Sequence, residues 1–184
     1  MSEHKISIAG AIENSGRSPS YIGNGLLLVE KRNTGLLALP AGHLELELPI
    51  SGIIREIEEE TGLRRAQYTL NPHPFTYAKV SPTKVSLGLL YTGKTIHPIE
   101  NQGYVVDSEE ISRVRPYSVD ELLQLLAHPE ALYKPEFNQF FIAQILLWWI
   151  QLKYAFESHS FQKSLALDYG ITEAQMLDFA QERE

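Results

Sequence analysis

The sequence predicts an α+β domain in α/β/α layers, followed by a helical extension. Three observations carry this. Short β-like runs lie on both sides of residue 49. One early helix is bounded by Pro49 and Gly62, the order that helix ends prefer. Further helical stretches gather late, after residue 117. The 184 residues suggest one domain with extensions, long enough to bury a real core. The expected division is a core over residues 1–128 and a helical extension over residues 129–184.

The elements follow in order. Residues 6–12 are β-like and open the domain. Residues 13–24 are rich in Asn, Ser, Gly and Pro and form a loop. It carries Tyr21, a candidate substrate contact. Residues 25–31 are a continuous apolar run ending in charge, as in a buried strand. Residues 36–40 form a short strand that delivers the chain to a loop, Ala41-Gly42-His43. After the helix, residues 66–70 read as a strand and residues 71–74 as a Pro-rich turn. Residues 75–80 and 84–92 alternate and pair as a hairpin around Ser81-Pro82. Residues 95–107 form a loop. A strand at 111–117 leads into a helix at Ser118, with Asp120 and Glu121 in its first turn.

Residues 135–158 form a long helix containing Phe137, Phe140, Phe141, Trp148, Trp149 and Ile150. Its apolar residues go nearly all round, so it is buried on more than one side. A second apolar stripe left in water would be a patch that monomers usually avoid. Either a capped helix at 171–184 folds back over it or a second copy of the chain does. Two-fold dimers are the commonest oligomers, which favours a homodimer.

Composition narrows the function classes. Net charge is −7, with no basic block. Binding to a nucleic acid polymer needs clustered Lys and Arg, and is not expected. There is no Cys, hence no disulfide, thiol chemistry or Cys-bound zinc. The N-terminus lacks a basic-then-apolar signal pattern. The apolar run at 145–150 is far short of a membrane span. A cytoplasmic protein is expected, with no membrane partner.

The helix at 49–61 carries the chemistry. On a wheel of about 100° per residue with Glu56 at zero, Glu60 falls near about +40° and Glu59 near about −60°. Ile50, Ile53, Ile54 and Ile57 fall between about +60° and +160°. Three carboxylates therefore share one face at the edge of an apolar one, and Glu58 points away. Gly52 lies on the acidic face and leaves it open. Like charges three and four apart repel by a few tenths of a kcal/mol each, which a cation would relieve. Hard cations such as Mg²⁺ take oxygen ligands and share them with substrate phosphates. An acidic helix run is most often a solvated face. Here the carboxylates border a core, and Arg55 with Glu47 could pair to fix the loop before the helix.

At these residues the sequence resembles the Nudix hydrolase family. Its signature is Gly, five residues, Glu, seven residues, then Arg-Glu-apolar-x-Glu-Glu-x-Gly-apolar. Arg55, Glu56, Ile57, Glu59, Glu60, Gly62 and Leu63 match, with Glu47 eight before Arg55. The departure lies upstream: four residues, not five, separate Gly42 from Glu47. The Gly expected just before Glu47 is missing, and Ala41 replaces the first of the usual Gly pair.

The resemblance implies a Nudix-type α/β/α sandwich with a mixed sheet. It implies hydrolysis of a diphosphate linkage in a nucleoside diphosphate joined to another group. The metal ligands would be Glu56, Glu59 and Glu60, holding Mg²⁺ or alternatively Mn²⁺. The catalytic carboxylates would be Glu56, Glu59, and Glu109 or Glu110 of the loop before the 111–117 strand, the family's place for a general base. Arg55 and Glu47 would form a structural salt bridge. Gly42, His43 and Tyr77 are the candidate contacts to a nucleotide-like small molecule. Asn71-Pro72-His73-Pro74-Phe75 only weakly echoes an NADH-type motif, so the substrate stays open. Two other classes stand beside this one: a non-catalytic nucleotide sensor acting through its C-terminal helices, and an interaction module with a merely solvated acidic helix.

Overall fold

The computed structural model describes residues 6–15, 25–80, 85–127 and 131. Two compact units divide the chain, Met1–Tyr117 and Ser118–Glu184. The first contains β1 (Ile6–Glu13), β2 (Leu26–Lys31), β3 (Leu37–Ala38), β4 (Ala41–His43) and helix α1 (Pro49–Thr61). A 3₁₀ turn at Arg65–Gln67 precedes β5 (Tyr68–Leu70), β6 (Phe75–Val80), β7 (Val85–Thr95), β8 (Tyr104–Val105) and β9 (Ile111–Tyr117). Of the second unit, helix α2 (Val119–Ala127) is described. Ser118 and Glu121 cap it reciprocally: the Glu121 carboxylate accepts from Ser118 N at 2.8 Å, and Ser118 Oγ accepts from Glu121 N at 3.3 Å.

The strands form one mixed sheet in the order β5-β7-β1-β2-β9-β8. β1 and β7 run parallel from Ile6 opposite Leu87 to Glu13 opposite Lys94. The other pairings are antiparallel. β7 is long enough to serve β6 along its first half and β5 along its second. β2 pairs with β9 in steady register until a shift between Glu30 and Lys31, after which Lys31 faces Ile111.

α1 starts and stops as its sequence dictates. Leu48 is extended and Pro49 opens the first turn, where its missing N–H costs nothing. Gly62 takes the left-handed conformation at φ 70° and donates its N–H to Glu58 O at 2.9 Å. The isoleucine face packs on β1 at Gly10. A Cβ at Gly10 would stand only 3.3 Å from Ile57 Cδ1 and 3.4 Å from Ile53 Cδ1, so glycine sets the closeness of helix and strand. Ile53 and Ile57 are fully buried among Ile8, Ile12, Leu27, Leu63, Tyr68 and Tyr91. Burial of each isoleucine is worth about 1.5–3 kcal/mol.

Local departures from the expected elements have simple causes. Ala41–His43 is not a loop but β4, paired with Ser7–Ala9 of β1. The strand expected at 66–70 begins only at Tyr68, because residues 65–67 turn as 3₁₀. The loop at 95–107 contains β8, which pairs with β9. Gly52 does not open the acidic face. A Cβ there would meet Ile8 Cδ1 at 2.8 Å, Leu44 Cδ1 at 3.0 Å and Glu47 Oε1 at 3.1 Å, so the loop before α1 folds over it. The β6–β7 hairpin is present, though its turn lies outside the described residues, as do Tyr21, the 135–158 helix and the 171–184 segment.

Candidate active site

The site is the outward edge of α1 where it meets β4 and the end of β2. Helical spacing puts Glu56 and Glu60 one turn apart, and both are buried, whereas the Glu59 side chain is 59% exposed. Gly42 of β4 makes room for the first of them. A Cβ at Gly42 would lie 2.1 Å from Glu56 Oε1, so the Glu56 carboxylate occupies the space that a side chain there would fill. Glu58 is exposed on another face and accepts from Arg65 N at 3.0 Å.

Two cations neutralise the acids. Arg55 Nη1 donates to Glu56 Oε1 at 2.8 Å and to Glu59 Oε2 at 3.2 Å. Arg55 Nη2 donates to Glu47 Oε1 at 2.9 Å and to the His43 carbonyl at 3.2 Å. One guanidinium thus ties β4 and the loop before α1 to two carboxylates of the helix. The Glu47 hydrogen bond holds the Arg55 guanidinium well above its ordinary pKa. On the other side, Lys31 Nζ donates to Glu60 Oε1. The second Glu60 oxygen accepts from Ala41 N at 2.9 Å. Burial pushes the Glu56 carboxyl up, with Arg55 opposing it and the Glu59 charge reinforcing it. Burial likewise raises Glu60, with Lys31 and the Ala41 N–H opposing and Glu56 reinforcing.

This donor set suits a hard divalent cation in kind. It is all oxygen, it is mutually repulsive, and it borders a core with a glycine backing it. Among the described residues no three His, Asp or Glu side chains converge as a cation cage. Instead the three acids are ion-paired, Glu56 and Glu59 with Arg55 and Glu60 with Lys31.

The remaining candidates fall at different distances from this edge. Glu110 precedes β9, and its Oε2 lies 3.8 Å from Lys31 Nζ, which connects it to Glu60. Glu109 is exposed in the turn beside it. His43 ends β4 opposite Ser7 and offers its carbonyl to Arg55. Tyr77 stands in β6 opposite Gly88 of β7. A separate cavity of ≈ 330 Å³ lies past the C-terminal end of α1 and contains none of these carboxylates. It is lined in part by Tyr104, whose hydroxyl donates to Thr61 O at 2.8 Å and whose pKa burial pushes up to about 12.

Two residues of this edge carry no local signal in the sequence. Lys31 and Arg32 look like the charged end of an apolar strand. Arg32 Nε donates to Ser108 O at 3.0 Å and Nη2 to Ile111 O at 3.0 Å, while Arg32 N donates to Glu110 O at 2.7 Å. Arg32 thereby fixes the loop that carries Glu110, and Lys31 links that loop to the helix. An apolar strand closing on two adjacent cations was the only available hint.

The sequence matches the NUDIX domain family over residues 6–138. The chain belongs to the NUDIX family. A MutT-like protein of Streptomyces ambofaciens is 40% identical over 63 residues, 33% of this chain. That match spans only 36% of the relative's own length. Among solved structures, a NUDIX hydrolase from Nitrosomonas europaea superposes with a TM-score of 0.53 at 23% identity, covering 82% of this chain and 91% of that one. A Nudix hydrolase from M. smegmatis gives 0.57 at 15% identity, covering 84% and 88%. A C. elegans Ap4A hydrolase complex gives 0.54 at 15% identity, covering 83% and 99%. At these identities the structures share the fold. The α+β Nudix architecture and membership of the NUDIX family are thus established for this chain. Among the described residues no helix is long and apolar enough to cross a membrane.

Proposed function

We propose that this NUDIX protein hydrolyses the diphosphate linkage of a nucleoside diphosphate joined to a second group. The observation that carries the reading is the α1 edge: three carboxylates, two of them buried and neutralised by cationic side chains. Glu56, Glu59 and Glu60 would hold Mg²⁺, or Mn²⁺ in its place. The bound cation would neutralise phosphoryl oxygens and acidify water. Water adds to one phosphorus, the bond from that phosphorus to the bridging oxygen breaks, and two phosphomonoesters result. Glu110 is the favoured acceptor of the water's proton, because Lys31 ties it to the helix carboxylates while Glu109 has no such link described. Glu56 or Glu59 would take that part if Glu110 does not. Arg55 and Glu47 hold the loop before α1 to the helix, and Gly42 with His43 offers backbone next to the acids.

The same reading takes residues 1–128 as the catalytic core and residues 129–184 as an extension that pairs two copies of the chain. It places the protein in the cytoplasm, acting on a nucleotide-like small molecule. A screen of nucleotide sugars, dinucleotides and nucleoside triphosphates with Mg²⁺ or Mn²⁺ tests it by phosphate and monophosphate release. Divalent-dependent cleavage of a diphosphate-linked compound is expected. Tight nucleotide binding without turnover would instead establish a sensor, and absence of Mg²⁺ binding by calorimetry an interaction module.

A further inference from the structure

We propose that Lys31 is a displaceable counter-ion: its ammonium holds the place on Glu60 that a divalent cation takes, and once displaced it engages an anionic oxygen of the substrate. This rests on the metal-dependent reading above. The two buried acids of α1 must be neutralised when no divalent cation is present, and they are neutralised differently. Arg55 is spread over Glu47, Glu56, Glu59 and the His43 carbonyl, so its planar fork is pinned to the loop. Lys31 reaches Glu60 as a point charge on a flexible four-carbon stem. Its backbone is fixed by the register shift at Glu30 and Lys31 and by the turn that follows, where Gly35 N donates to Lys31 O at 2.8 Å. The backbone contacts thus fix the root of the stem, and the four-carbon stem gives the ammonium reach beyond Glu60.

Glu60 is prepared for such an exchange. Ala41 N holds one carboxylate oxygen at 2.9 Å, which sets the orientation of the group. The other oxygen faces the ammonium. An ammonium on that oxygen repels a divalent cation brought to the same carboxylate, and the repulsion is strong because both Lys31 and Glu60 are largely buried. Glu110, 3.8 Å from the ammonium, marks the direction in which Lys31 can turn without losing all carboxylate contact. A cation arriving at α1 would thus release a positive charge beside the loop that holds the proposed proton acceptor.

The test uses Mn²⁺ alone, titrated by electron paramagnetic resonance into the full chain and into Lys31→Met and Lys31→Arg. Lys31→Met should bind Mn²⁺ about tenfold more tightly than wild type, the size of a typical coupling between two ligands. Saturating Mn²⁺ should raise its melting temperature by more than that of wild type, since stabilisation follows affinity. Lys31→Arg should bind Mn²⁺ no more tightly than wild type. In the Mn²⁺-loaded proteins, α,β-methylene-ADP should bind wild type more tightly than Lys31→Met. If Lys31→Met does not fold, Lys31→Gln is read the same way. Mn²⁺ affinity in the uncharged variant equal to or below that of wild type would show that Lys31 only positions Glu60, and would overturn the displacement. Equal nucleotide affinity would overturn the engagement of substrate. Wild type that binds no Mn²⁺ would sink the metal-dependent reading itself, an outcome distinct from both.

Discussion

Gly42→Ala perturbs the site at its most crowded point. A Cβ there would stand 2.1 Å from Glu56 Oε1, 2.2 Å from Glu56 Cδ and 2.4 Å from Glu56 Oε2. Gly42 is not among the glycines with positive φ, so backbone strain plays no part. What must move is the far end of a flexible side chain. Swinging the carboxylate away loses the Arg55 hydrogen bond, and a bond to a charged group is worth about 1.5–3 kcal/mol. An off-rotamer side chain adds about 0.5–1.5 kcal/mol. Regained solvation of a carboxylate whose pKa burial had raised offsets part of this. The net cost should be about 1–3 kcal/mol, a fall of about 2–12 °C in melting temperature for a chain of this size. Divalent affinity and turnover should fall with it, because one of the three acids no longer points at the site. Thermal unfolding by circular dichroism and a Mn²⁺ titration read both. Wild-type stability together with wild-type Mn²⁺ affinity would refute this placement of Glu56 over Gly42.

Glu59→Gln should abolish turnover while changing stability by less than about 0.5 kcal/mol, because that side chain is mostly exposed; activity and melting curves on one preparation check this. Arg55→Ala should cost about 2–3 kcal/mol, between the exposed and buried limits for ion pairs, and should loosen residues 44–48, seen as faster amide exchange there. Glu56 and Glu60 have folded pKa values raised above their unfolded ones, so the folded state binds more protons between the two. Their contribution to stability is present below the unfolded carboxylate pKa and is lost as pH rises through the folded values. Melting temperatures of Glu56→Gln and wild type should therefore diverge in favour of the variant as pH rises above the ordinary carboxylate pKa. Phe140 and Leu147 belong to the second apolar stripe expected of residues 135–158, so sedimentation at tens of micromolar should give a dimer, and Phe140→Asp with Leu147→Asp a folded monomer.

What was legible in the sequence is what local periodicity encodes. A period near 3.6 separates the isoleucine face of α1 from its acidic face, and Pro49 and Gly62 mark its ends. The Arg55 and Glu47 pair was legible because the two are only eight residues apart. Lys31 was not, since its approach to Glu60 spans 29 residues and depends on how β2 and β4 lie against α1. Arg32 reaches 79 residues along the chain to Ile111, through a β2–β9 register that no local pattern announces. The parallel pairing of β1 with β7 is silent for the same reason. Gly52 misled because a wheel places residues around an axis but cannot say that Leu44 and Glu47 fold back over one of them.

The central claim is that the carboxylates of α1 support divalent-dependent cleavage of a diphosphate linkage by water. The most direct measurement is hydrolysis of the best substrate from the screen in ¹⁸O-labelled water, by wild type and by Glu60→Gln, across a Mg²⁺ titration. Wild type should place one ¹⁸O atom in one phosphomonoester product, at a rate that saturates with Mg²⁺. Glu60→Gln, folded by circular dichroism, should release no labelled product at the Mg²⁺ concentration that saturates wild type. Labelled product from Glu60→Gln at the wild-type rate, or from wild type without any divalent cation, would contradict the account.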